Sequence, residues 1–325
     1  MPVQDLRQDL RGLPPFAQAY VRYTRRLGHY VFALSRVMTL ADVAGVVGLS
    51  WDTAKNIVKP YLRKTVTPAR FKGLRHLAID EIYVGKKRKF YTLVIDLDTG
   101  RIVWVAHGHG SACLRGFWRR LRLAKAKIKA VAMDMSAAYW MAVRDNLPRA
   151  AVVFDKFHIV KLVNDRLDEV RRQLVREAEQ SLKADIKGTR FLLLSRRHNL
   201  TTDKMVALDV ALRANQPLFE AYYLKEELLL LWAQPTARAM KSFLEGWCRR
   251  ALETGLAPFR SLVKTLRSHR KGILAWFQHR INSGRMEGIN NKVKVMTRSA
   301  YGYRDEAFFI LKLYNLHRAR QELVG

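Results

Sequence analysis

The sequence predicts an α/β protein: a mixed five-stranded sheet with a long all-α insertion, preceded by an N-terminal helix-turn-helix. Three observations predict it. From His76 to Phe154, short β-branched and aromatic runs alternate first with turn signals and then with helical stretches. From 157 to 280 the apolar residues keep helical spacing, and no run alternates as a strand would. Ahead of both, residues 38–63 hold two short helical segments on either side of a glycine.

Residues 16–36, FAQAYVRYTRRLGHYVFALSR, carry apolar residues at helical spacing. In 38–63, MTLADVAGVVGLSWDTAKNIVKPYLR, Thr39 caps a helix running through Val47, Gly48 supplies a left-handed turn, and Ser50 caps a second helix from Trp51. That helix presents Trp51, Asp52, Thr53, Lys55 and Asn56 near its N-terminal end, where a recognition helix reaches base edges. Helix pairs with this spacing also occur in proteins that never touch DNA. The segment Thr65–Arg70, with its proline, reads as a linker.

Strands are expected at His76–Val84, Lys89–Leu97 and Arg101–His107, the last two around the hairpin signal Asp98-Thr99-Gly100. Ser111 then caps a basic helix reaching about Lys127. Ile128–Met133 is a buried strand ending at Asp134, Ser136 starts a helix to Leu147, and Ala150–Phe154 is a buried strand ending at Asp155. Strand-helix-strand steps imply parallel strands with right-handed crossovers. The order β-β-β-α-β-α-β is that of a ribonuclease H-like core. After the insertion, Arg285–Arg298 reads as a strongly basic helix and Asp305–Arg320 as an amphipathic one, with a turn at Ser299–Tyr303. The expected domains are a helical DNA-binding region at 1–70 with the helix-turn-helix at about 38–63, a core at 71–158 and 281–325, and the insertion at 159–280.

Charge narrows the function. The 325 residues hold 59 Lys or Arg against 28 Asp or Glu, a net charge of +31, too basic for an ordinary metabolic enzyme. At 49% apolar content the chain has material for two or three cores, which excludes global disorder. Cys113 and Cys248 stand far apart, which excludes a disulfide framework and a four-cysteine zinc site. No stretch approaches the roughly 18 apolar residues of a membrane span, and the N-terminus has no hydrophobic signal core. These features indicate a soluble, cytoplasmic protein, with no membrane partner, whose charge calls for a polyphosphate such as DNA or RNA. Residues 238–298, with 14 Lys or Arg against three acids, form a candidate phosphate track.

In so basic a chain the few carboxylates are informative. Asp80 ends the apolar run LAI of the first strand, Asp134 ends AVAM of the fourth, and Glu287 sits just inside the helix that returns after the insertion. In a ribonuclease H-like sheet the first and fourth strands are neighbours, so Asp80 and Asp134 would lie side by side. Adjacent carboxylates repel unless a divalent cation stands between them. Two Mg2+ ions, or Mn2+ in their place, take hard oxygen ligands and suit phosphodiester chemistry. Asn291, Lys294 and Arg298 follow Glu287 on the same helical face, where the two cations would hold phosphates. Each acid has a plainer reading: Asp80 or Glu81 as a strand-edge acid, Asp96 and Asp98 as turn formers, Asp134 as a helix cap, Glu287 as a partner of the helix dipole. Asp155 and His158, a D-x-x-H at the end of the fifth strand, are accessory candidates, and Asp155 is the main rival to Asp134 as second metal ligand.

The runs AIDEIYVGK (78–86), VAMDMSAAY (131–139), VVFDKFHIVKLVND (152–165) and NSGRMEGINNKVKVMTRSAYGYRD (282–305) resemble blocks of bacterial insertion-sequence transposases of the ISL-three family, from about residue 30 to the end. The resemblance implies a ribonuclease H-like fold with an all-α insertion before the last acid, and metal-dependent DNA cleavage and strand transfer. The family's DDE acids fall on Asp80, Asp134 and Glu287, and a D-x-x-H shared with Mutator-like transposases falls on Asp155 and His158. Many members carry a Cys-rich zinc-binding segment before the helix-turn-helix; this sequence starts MPVQDL and has none. The expected partners are double-stranded DNA, as transposon terminal repeats and target, and at least a second copy of the chain when assembled on DNA. The competing readings are a DNA-binding regulator without chemistry and a nuclease of the same fold.

Overall fold

The computed structural model describes residues 21–66, 71–84, 89–177, 186, 188–281 and 284–316. By internal contacts the chain divides into two compact units, one of residues 1–74, 80–126 and 285–325 and the other of 75–79 and 127–284.

The N-terminal helices follow their local signals. α1 (Arg25–Leu34) is capped by Thr24, whose hydroxyl accepts from Leu27 N. In α2 (Leu40–Val47), Thr39 and Asp42 cap each other's backbone, a reciprocal box that satisfies two otherwise orphaned N–H groups. Gly48 ends α2 at φ +70°, a conformation that costs a glycine little. Ser50 caps α3 (Trp51–Thr65) through Thr53 N. Val31, Val43, Ile57, Val58 and Leu62 form the core of the three helices, and Phe308 from the far end of the chain completes it. Of the expected first helix, residues 16–20 lie outside the described residues, as do 67–70 of the linker.

Five strands make one sheet in the order β3-β2-β1-β4-β5: β1 (His76–Val84), β2 (Lys89–Asp96), β3 (Arg101–His107), β4 (Ala130–Met133) and β5 (Ala151–Phe154). β2 and β3 are antiparallel with a bulge at Val94/Ile95, and β4 runs parallel to β1 and β5. That order with mixed directions is ribonuclease H-like. Asp96 makes the hairpin turn: its carboxylate accepts from Asp98 N and the Thr99 hydroxyl, while Gly100 takes φ +72°. The helix expected from Ser111 is split. Ser111–Leu114 is a 3-10 turn with no side-chain cap, and α4 spans Arg115–Leu123. It stops short of Lys127 because Lys125 turns left-handed, at φ 49°, and Ala126 N bonds back to Leu121 O. α5 (Ala137–Asn146) connects β4 to β5.

The insertion holds α-helices and no strand among its described residues: α6 (Lys156–Glu177), α7 (Arg190–Leu194), α8 (Thr202–Arg213), α9 (Gln216–Leu228), α10 (Ala237–Glu253), α11 (Ala257–Ser268) and α12 (Arg270–His279). α12 packs on β5 through Gly272, where a Cβ would stand 2.4 Å from the Phe154 ring. The chain closes with α13 (Gly284–Ser299) and α14 (Glu306–Tyr314); residues 317–320 of the expected last helix lie outside the described residues. Asp305 caps α14 and reaches Lys59 on α3 at 2.8 Å, and this partner first, then Phe308 N, holds its carboxyl below the usual range. No described helix is long and apolar enough to cross a membrane.

Candidate active site

β1 delivers Asp80. Leu77, Ala78 and Ile79 are buried, which anchors the strand, and Asp80 follows half-buried. Its Oδ1 accepts from Glu81 N at 2.8 Å, and its Oδ2 accepts from Nδ2 of Asn290 at 2.7 Å. Asn290 lies on α13, so this bond brings α13 to the strand that carries Asp80. The helix is held a second time in its first turn, where Arg285 Nη1 donates to Leu97 O and Asp98 O at the β2–β3 turn. Met286, Val293 and Met296 are its buried side.

Glu287 precedes Asn290 by three residues, which puts the two on neighbouring positions of one face. It is exposed and lies in the first turn, where the helix dipole favours a negative charge. Asn291, Lys294 and Arg298 are exposed as well, in line with the face expected from their spacing. Sequence reasoning chose Asn291, one turn along from Glu287, and passed over Asn290. The signal was present, since the i+3 neighbour of an acid shares its face as the i+4 neighbour does, but spacing alone does not say which side meets the sheet.

In the other unit, Asp134 follows the buried strand β4, and its Oδ1 accepts from Ser136 N at 3.0 Å. Ser136 itself makes no side-chain cap, so the acid, not the serine, serves the start of α5. Asp155 is more enclosed, with 3% side-chain exposure. One oxygen accepts from Phe157 N at the start of α6, and the other meets His158 Nδ1 at 3.0 Å. A carboxylate only accepts, so Nδ1 is the donor of this bond. The D-x-x-H spacing thus becomes a direct pair. Among the described residues no three His, Cys, Asp or Glu side chains stand together as a ready-made metal cage.

On the helix-turn-helix, Trp51, Thr53 and Asn56 are exposed on α3. Lys55 lies 4.8 Å from the Trp51 ring and 3.2 Å from Asp52, so its ammonium is pre-positioned by its own helix. The Thr53 hydroxyl shares a 2.8 Å hydrogen bond with Ser50. In the insertion, Lys241, Arg249, Arg260, Lys264, Arg267 and Lys271 are all exposed, a basic surface on α10–α12.

Comparison with known proteins covers nearly all of this chain. A family model described as a transposase, of the DDE type and family ISL3, matches residues 77–313, and a second, the helix-turn-helix domain of transposase family ISL3, matches 13–62. The transposase for insertion sequence element IS1001 of Bordetella parapertussis is 35% identical over 90% of this chain and 73% of its own length. The transposase for insertion sequence element IS1557 of Mycobacterium tuberculosis is 28% identical over 96% of this chain and 76% of its own. Among solved structures, the Drosophila P element transposase strand transfer complex aligns at a TM-score of 0.45 and 12% identity, over 98% of this chain and 99% of that one.

Proposed function

The chain belongs to the ISL3 family of DDE transposases, and on that premise we propose that Asp80, Asp134 and Glu287 are the acids with which it cuts insertion-sequence DNA and joins the freed end to a target. It is a transposition enzyme of a family that uses divalent metal, and its helix-turn-helix makes it a DNA-binding protein. The observation that carries the residue assignment is the Asn290–Asp80 hydrogen bond, which ties the helix of Glu287 to the strand of Asp80. The β1–β4 register supports the second acid: Ala78 pairs with Ala132, and Asp80 and Asp134 each follow by two residues. Asp155 remains the alternative, but its burial and its commitment to Phe157 N and His158 favour Asp134.

The residues suit hard cations. Three carboxylates are the donors that Mg2+ prefers, and on the side chain that bonds Asp80 the Oδ1 of Asn290 is buried with no hydrogen-bond partner among the described residues. We assign two Mg2+ ions, with Mn2+ as substitute; when bound, they supply activation of the attacking oxygen and stabilisation of the leaving one. The chain's own groups orient the substrate. Lys294 and Arg298, exposed beyond Glu287, hold the phosphates flanking the cut, and Asp155 holds the ring of His158 in place to contact the scissile phosphate. Trp51, Thr53, Lys55 and Asn56 read the terminal repeats, and the basic surface of 238–298 follows the duplex. Residues 1–70 thus bind DNA, 71–158 with 281–325 carry the chemistry, and 159–280 are the insertion. Two ends must be joined, so the working form on DNA is a dimer or larger, at the nucleoid in the cytoplasm.

Purified protein with Mg2+ and a donor element's terminal repeats tests this reading. Joined ends support transposition, whereas cut but unjoined ends indicate a nuclease, and bound but uncut DNA a regulator. Asp80→Ala, Asp134→Ala and Glu287→Ala should each abolish cleavage and leave end-DNA affinity within a few-fold. Cleavage surviving in Asp134→Ala but lost in Asp155→Ala would move the second acid to Asp155.

A further inference from the structure

Asn290 was not among the residues expected from the sequence, yet its amide meets Asp80 directly. Asp80 is held from two directions, by Glu81 N on Oδ1 and by Asn290 Nδ2 on Oδ2. These two donors lie on different elements, so together they set the orientation of the carboxylate rather than merely neutralising it. The other end of the same amide is unusual. Oδ1 of Asn290 is buried and has no hydrogen-bond partner among the described residues. A buried acceptor without a partner carries a desolvation cost. A residue kept only for packing sheds that cost on replacement by an apolar side chain of the same size. A neutral oxygen beside a carboxylate is, by contrast, a group that a hydrated divalent cation uses, since Mg2+ and Mn2+ keep part of their water and those waters need acceptors.

We propose that Asn290 is a positioning residue of the cation site: its amide nitrogen orients Asp80, and its amide oxygen accepts from the hydration shell of the cation that Asp80 binds. This rests on the assignment of Asp80 as a metal ligand. The neutral amide suits the place, because a carboxylate here would repel Asp80 and a lysine would compete with the cation for it.

The test is Mn2+ binding to the full-length protein, read from the signal of free Mn2+ in electron paramagnetic resonance, for wild type, Asp80→Asn, Asn290→Ala and Asn290→Leu, with melting temperature measured alongside. Wild type should bind Mn2+ and Asp80→Asn should not. Both Asn290 variants should bind about 10- to 100-fold more weakly, the usual effect of losing a group that orients a metal ligand, while melting near the wild-type temperature. Asn290→Leu keeps the branched shape of the side chain and Asn290→Ala removes it, so the two together separate loss of the amide from loss of packing. Affinity within about twofold of wild type in both variants, well short of the usual effect, with Asp80→Asn still defective, overturns the role of Asn290 and leaves the acid assignment standing. A collapse of melting temperature in both variants makes Asn290 a packing residue and also overturns it. Undiminished binding by Asp80→Asn removes the acid assignment itself.

Discussion

Replacing Arg285 by Met asks whether the helix that carries Glu287 is held by a side-chain clamp. A single nitrogen, Nη1, donates to the carbonyls of Leu97 and Asp98, each at 2.7 Å, so one arm of the guanidinium closes on the β2–β3 turn. Hydrogen bonds from a charged donor contribute about 1.5–3 kcal/mol each when well shielded. Here one bond is exposed and the other only partly buried, so the pair is worth about 2 kcal/mol together after discounting for solvent. Taking about 2 kcal/mol from the docked helix raises its local opening about 30-fold, at 1.4 kcal/mol per factor of ten. The amides of Gly288 to Val293 should then exchange with deuterated solvent about 30-fold faster in Arg285→Met, with the rest of the protein unchanged. Cleavage should fall in step, because Glu287 rides on the same turn. Both bonds leave from one nitrogen, so an ammonium with its three donors can reproduce them, and Arg285→Lys should exchange within about threefold of wild type. Wild-type exchange across Gly288–Val293 in Arg285→Met would refute the clamp.

Lys225, 1% exposed, donates to the carbonyls of Leu193 and Ser195 at 3.0 and 2.8 Å and so closes the end of α7. Lys225→Met removes the ammonium from both carbonyls and from the Glu226 carboxylate it pairs with, so urea unfolding should show a loss of about 2–4 kcal/mol; an unchanged midpoint would mean that these acceptors need no partner. Lys312, whose ammonium donates to Ser35 O, is pushed down to about 8 by burial. Between about pH 8 and the ordinary lysine value near 10.4 the unfolded chain binds a proton that the folded chain has released, so this group makes stability rise with pH in that window and contributes no slope below it. The stability difference between wild type and Lys312→Met should climb across that window, and a flat difference counts against the burial. Lys294→Ala should weaken both end-DNA affinity and cleavage while Mn2+ binding and folding persist, whereas Lys294→Arg should retain much of both, since a phosphate accepts either cation; silence of the alanine variant in both assays removes the residue from the site.

Much of the fold was legible in the sequence because its signals are local. Thr39 with Asp42, Gly48 and Ser50 place the helix-turn-helix through contacts of four residues or fewer. The strands were legible from alternation and buried runs, and their order from the rule for crossovers, so the ends of β4 and β5 fell at Asp134 and Asp155 as expected. One boundary shifted, because Lys125 turning left-handed ends α4 early, and at α5 the cap reading of Asp134 holds, its carboxylate accepting from Ser136 N. The candidates Asp80 and Asp134 stand out in the sequence because each follows an apolar run, and Asp155 and His158 because one helical turn separates them.

Tertiary structure alone decided the rest. Asn290 lies 210 positions from Asp80, and Arg285 lies 188 from Leu97. The periodicity of α13 shows that it has two sides, but its residues cannot say which side turns to the sheet, because that depends on surfaces contributed by distant segments. For the same reason nothing local marks Lys225, which is buried where two carbonyls at the end of α7 take its ammonium as donor. Local sequence determines where an element begins, ends and is apolar; which of its polar side chains becomes a partner is set by the backbone groups that packing leaves unpaired.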